Sequence, residues 1–98
     1  MHRWAPLSRV RDFVPVARAL GVSERARARG QFVEQYSKAG GDWRRLPAAW
    51  RDKREAFVER HLAQAKARRE VLYSAENGCY SRRGLALLMW AYDPRIKP

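Results

Sequence analysis

Eight arginines have the type and spacing to hold phosphate: Arg25 and Arg29, Arg44 and Arg45, Arg68 and Arg69, Arg82 and Arg83. A guanidinium is planar, permanently charged, and forks its N–H donors at the spacing of two phosphate oxygens. Arg25 and the pair Arg82-Arg83 fall in the first turns of expected helices, which is electrostatically the wrong end for cations. Positive side chains together with free backbone N–H groups suit an anion there, so the repeated arrangement points to phosphate contact. The competing reading is a solvated face combined with coding bias, because 17 of the 21 basic residues are Arg, beside 15 Ala and no Thr.

Other reactive side chains are sparse. Cys79 is the single cysteine, which excludes an intramolecular disulfide and a multi-thiolate zinc site within one chain. Its only candidate bases are His2 and His61, so a small hydrophobe is the expected role. A zinc-binding His61 would want a second histidine four residues away, and Phe57 and Ala65 stand there instead. Glu55 and Glu59 share a helix face, yet without a substrate pocket or a metal partner they read as paired surface acids. The chain has no Walker loop, no Gly-x-Ser-x-Gly, no His-Glu-x-x-His and no cysteine pair. No catalytic template, cofactor, metal or small-molecule substrate is therefore expected, and the chain is read as non-enzymatic.

Charge points outward, to a partner. The 98 residues carry a formal charge of +11, which attracts polyanions and disfavours self-association at low salt. The excess is spread along the chain: eight cations to three acids in residues 1–41, nine to five in 42–73, four to two in 74–98. A chain of this length supports one modest core.

The elements that must position these arginines are helical. Leu85 to Tyr92 runs for eight residues without a charged side chain; it is too short for a membrane span, which needs about 20, and predicts a helix buried at the centre. Ser81 is its expected N-cap and Asp93-Pro94 its stop, giving a helix over 82–92. A first helix is predicted over 10–20, interrupted by Pro15, with Phe13, Val16 and Leu20 facing the core and Gly21 closing it. Ser23 caps a second over 24–38, stopped by Gly40-Gly41. Pro47 opens a third, over 48–73, with Trp50, Phe57, Val58, Leu62, Ala65, Val71 and Leu72 along its stripe and Arg51 paired with Glu55. At about 37 Å that helix would outrun the core, so one end is expected to project or bend. Residues 74–81 read as a loop around Asn77-Gly78, a hairpin of this size being marginal.

The fold class is thus all-α, a single-domain bundle of about four helices (10–93) between a basic N-terminal extension (1–9) and a basic tail (94–98). From Met1 to Val33 the only acids are Asp12 and Glu24 against seven arginines. That is the balance of a mitochondrial import segment, while the scarcity of hydroxyl residues there argues against one. With one cysteine, an intracellular setting is expected. The functional expectation is a small arginine-rich protein that binds RNA or DNA through phosphate, as part of a larger nucleoprotein assembly with protein partners. The alternatives are a structural subunit of an organellar ribosome or respiratory complex, and an inhibitor or adaptor docking on an acidic protein surface.

Overall fold

The computed structural model describes residues 1–95. Its helices are α1 (Leu7–Leu20), α2 (Glu24–Arg27), α3 (Phe32–Lys38), α4 (Ala48–Arg68) and α5 (Arg82–Leu88), with a 3-10 turn at Trp43–Arg45 and a two-stranded antiparallel ladder of β1 (Tyr73–Ser74) and β2 (Cys79–Tyr80). The protein is a small helical bundle, and among the described residues no helix is long and apolar enough to cross a membrane.

The apolar run lies at the centre, as its composition requires. Leu85, Leu87, Leu88, Met89 and Ala91 are all at most 2% exposed, and each large side chain so buried contributes about 1.5–3 kcal/mol. Leu85, Leu88, Met89 and Ala91 belong to one cluster with Val10, Ala17, Phe32, Tyr36 and Leu46. Ser81 caps α5 by accepting from the Gly84 N–H at 3.0 Å. A Cβ on Gly84 would lie 2.1 Å from the Leu72 carbonyl oxygen, so α5 meets that backbone where only glycine fits.

Three helix ends share one device. Gly21, Arg69 and Ala91 take left-handed backbone conformations, and in each case the next N–H reaches back five residues: Val22 to Ala17, Glu70 to Ala65, Tyr92 to Leu87. This is the Schellman closure, which satisfies carbonyls orphaned at a helix end. It corrects two expected boundaries. The long helix stops at Arg68 and not at 73, and α5 stops at Leu88, turning through Ala91, and not at 92. With 21 residues α4 is about 31 Å long. The longest dimension of the molecule is 34 Å, so α4 is about as long as the bundle.

The expected second helix is broken. Ala28 is extended and Gly30 has φ 76°; the Gly30 N–H is taken by the Glu34 carboxylate and its carbonyl accepts from Gln35 Nε2 at 3.3 Å. Ser23 is itself left-handed, with no capping hydrogen bond from its side chain. In α1 the chain passes through Pro15, and Val10 and Ala17 face the core with Phe13 and Val14 beside them. Val16 and Leu20, expected inward, are 42% and 49% exposed.

Residues 2–5, read as part of an extension, run across the core. The Ala5 N–H donates to Ala91 O at 2.7 Å, and its carbonyl accepts from the Tyr36 hydroxyl at 2.8 Å. The expected loop contains a short ladder, with Tyr73 opposite Tyr80 and Ser74 opposite Cys79. It holds because Tyr80 is anchored elsewhere, edge-on to Phe13 at 5.1 Å and donating to Asp93 Oδ1 at 2.7 Å. Burial, then the Asp93 contact, push the Tyr80 hydroxyl above its ordinary pKa. Of the basic tail, Pro94 and Arg95 are seen; residues 96–98 lie outside the described residues.

Candidate nucleic-acid interface

Lys53, Phe57, Arg60 and Gln64 stand at intervals of four, three and four on α4, so the helical repeat puts them on one face. That face looks across a groove at the loop Gly21–Ser23 and at Arg25. Two cavities occupy the groove and share Ser23. One, of about 320 Å³, is lined by Arg25, Ala26, Gln31, Lys53, Phe57, Arg60 and Trp90. The other, of about 420 Å³, is lined by Gly21, Val22, His61, Gln64, Glu70, Arg82, Arg83 and Ala86.

The groove is walled by one end of a column of rings. Trp43, Trp4, Phe32, Trp90, Phe57 and His61 follow one another with centroid separations of 6.2, 6.2, 4.8, 4.9 and 4.1 Å and interplanar angles of 14–33°. Offset stacks of this kind add about 0.5–1.5 kcal/mol per pair beyond area burial. The column therefore sets Phe57 and Trp90 rigidly.

Behind the column lies Arg54, which is 0% exposed. Its guanidinium sits 4.0 Å from the Trp4 ring centroid and donates to Trp90 O at 3.0 Å, Ala91 O at 2.9 Å, His2 O at 2.8 Å, Arg3 O, and Glu55 Oε1 at 2.6 Å. Burial pushes its pKa down from the ordinary value, yet an arginine so hydrogen-bonded stays cationic. Glu55 pairs here, and with the His2 N–H at 3.0 Å, in place of the expected Arg51. Glu59 pairs with His2 Nε2 at 3.1 Å.

The eight predicted arginines divide. Arg25 lines the smaller cavity, and Arg82 and Arg83 line the larger. Arg82 is exposed but donates to Leu20 O at 2.8 Å, closing the end of α1. Arg83 is an internal brace: it donates to Glu70 Oε2 at 2.7 Å, Gln64 Oε1 at 2.7 Å and His61 Nδ1 at 2.8 Å. Its hydrogen bond holds the Glu70 carboxyl below its ordinary pKa. Arg68 and Arg69 are exposed at the end of α4, Arg68 lying 3.9 Å from Glu70. Arg29 is exposed in the break between α2 and α3. Arg44 and Arg45 share Asp42, at 3.0 and 4.0 Å, beside Trp43 at the far end of the ring column.

The helix-terminus rationale does not carry over. The helix that contains Arg25 has four residues and the one opened by Arg82 has seven, too short for much of a macrodipole, and Ser81 already occupies an N–H of α5. What concentrates cations is the tertiary meeting of Arg25 with α4. Lys53, Phe57, Arg60, Gln31 and Trp90 were missed as site residues, although the spacing of Lys53, Phe57 and Arg60 was a readable signal.

His61 closes the column with its pKa lowered, first by burial and then by Arg83 and Arg60. Because Arg83 donates to its Nδ1, the neutral ring with its proton on Nε2 fits the contact. Among the described residues no group of three or more His, Cys, Asp and Glu is placed to hold a metal ion. No family model, curated protein or solved structure matches the chain.

Proposed function

We propose that the protein is a non-enzymatic nucleic-acid-binding module whose groove between α4 and the Gly21–Arg25 segment receives the phosphate backbone of RNA or DNA. One observation carries this reading. The smaller cavity is lined by three cations, Arg25, Lys53 and Arg60, beside two aromatic rings and no acid. In a chain of mixed charges, such exclusion of carboxylates raises the local positive potential, and a cleft with low-dielectric walls focuses it. Arg82, Arg68 and Arg69 extend the basic path toward the end of α4. Arg29, Arg44 and Arg45 lie off it and add only to the diffuse field.

Phosphate neutralisation releases counterions, so log K falls with log salt by about 0.7 per contact for a single strand. Fluorescence anisotropy of labelled RNA and DNA oligomers at two salt concentrations tests the reading. Steep weakening with salt supports it; no binding to either polymer at low salt overturns it.

A second reading rests on the opposite side of α1. Val16, Leu20, Phe13, Cys79, Tyr80 and Leu85 line a cavity of about 220 Å³, and the exposure of Val16 and Leu20 suits a protein neighbour in a larger assembly. An apolar contact of this kind would be insensitive to salt, which separates the two.

A further inference from the structure

We propose that the smaller cavity is a subsite for one unpaired nucleobase together with its phosphate, so that the nucleic acid this protein selects is single-stranded. The proposal rests on the nucleic-acid reading above and narrows it to a substrate class. At about 320 Å³ the space is at the lower end of the range of about 300–1,000 Å³ that small-molecule pockets occupy. Phe57, Trp90 and Ala26 give it apolar walls, and the ring column holds the two aromatics in place. With their faces taken up in the column, Phe57 and Trp90 present their edges to the cavity, and the π-face of any base gains there by edge-to-face contact.

The polar side chains around these walls are unspent. Ser23, Arg25, Gln31 and Arg60 make no side-chain hydrogen bond or ion pair among the described residues, and Lys53 only hovers 5.0 Å from the Trp50 ring. Nearby arginines whose work is structural look different: Arg54 and Arg83 are hydrogen-bonded to several protein groups each. Convergence of unengaged donors on an aromatic cavity is the chemistry of a ligand site. Gln31 offers an amide that can both donate to and accept from a base edge, while Arg25, Lys53 and Arg60 suit the attached phosphate. A base inside a duplex is stacked and paired and reaches such a cavity only by unstacking, whereas a single strand presents it freely.

The test compares a labelled short single-stranded RNA with the same sequence annealed as a duplex, by anisotropy at one salt concentration. The single strand should bind about tenfold tighter or better, and both Phe57→Leu and Gln31→Ala should cut that preference several-fold. Folding of each variant is checked by its melting curve; should Phe57→Leu not fold, the half-buried Gln31→Ala and a Trp90 indole N–H shift on adding adenosine 5′-monophosphate serve instead. Equal binding of both forms, or a preference and an indole signal untouched by variant and nucleotide, overturns the subsite and leaves the phosphate reading standing. Failure to bind either form overturns the reading beneath it.

Discussion

The Nε of Arg54 donates to the carbonyl of Trp90 at 3.0 Å, so the one arginine with no exposed surface fixes the backbone of a ring that walls the groove. The same guanidinium gathers His2 O and Arg3 O. It thereby ties the N-terminal segment, α4 and the turn after α5 into one unit. Replacing Arg54 by Leu leaves these carbonyls without a donor, at about 1–3 kcal/mol for a buried unsatisfied group. A total loss of about 3–5 kcal/mol is expected, a large share of the about 5–15 kcal/mol that holds a domain. Urea denaturation should show a midpoint much reduced; an unchanged midpoint would refute the clamp.

Gly84 sets a second limit. A methyl group there would meet the Leu72 carbonyl oxygen at 2.1 Å, and backbone cannot swing aside as a flexible side chain can. Gly84→Ala is expected to cost about 1–3 kcal/mol or more by overpacking, although Ala normally favours a helix. A variant that melts higher than the parent would mean that α5 and Leu72 are not in contact.

Arg83 and the pair Lys53 and Arg60 should separate cleanly. Arg83→Ala removes donors from Glu70, Gln64 and His61 and should lower the melting temperature. Lys53→Ala and Arg60→Ala, both exposed, should leave it within about 0.5 kcal/mol of the parent while weakening nucleic-acid binding. The reverse pattern would assign the brace and the contacts to the wrong residues.

The groove also carries a pH dependence. The folded pKa of His61 lies below its ordinary value of 6.5 because burial, Arg83 and Arg60 all disfavour the imidazolium, Glu70 opposing them. The unfolded chain therefore binds a proton more readily than the folded one in this window. Stability is full above about pH 6.5 and declines as pH falls from there toward the lowered folded pKa. Melting curves between neutral and mildly acidic pH should show this decline, and His61→Gln should flatten it. Equal slopes for parent and variant would mean that other groups govern the acid limb.

How far the sequence reveals this molecule depends on where each signal resides. Leu85–Tyr92 announces its burial by itself, since no other arrangement shelters eight such residues, and Ser81 caps where its type predicts. The expected second helix runs unbroken through Gly30, whose left-handed backbone instead divides it in two. Val16 and Leu20 mislead because three-and-four spacing marks a face without saying which face meets the core. Arg54 is opaque for a different reason: its partners are backbone carbonyls some fifty residues earlier and nearly forty later, and carbonyls leave no mark in a sequence. The groove is half legible. Lys53, Phe57 and Arg60 share a visible face, but Arg25, Gln31 and Trp90 join them only through packing, and the pairing of Arg83 with Glu70 removes a residue that composition alone would assign to phosphate.

The most direct test of the central claim is the salt dependence of single-stranded RNA binding by the parent and by the Lys53→Ala/Arg60→Ala double variant. Loss of two phosphate contacts should flatten the slope of log K against log salt by about 1.4, at about 0.7 per contact, with the melting curve unchanged. A double variant that binds with the parent's affinity and slope would contradict the assignment of this groove as the nucleic-acid interface.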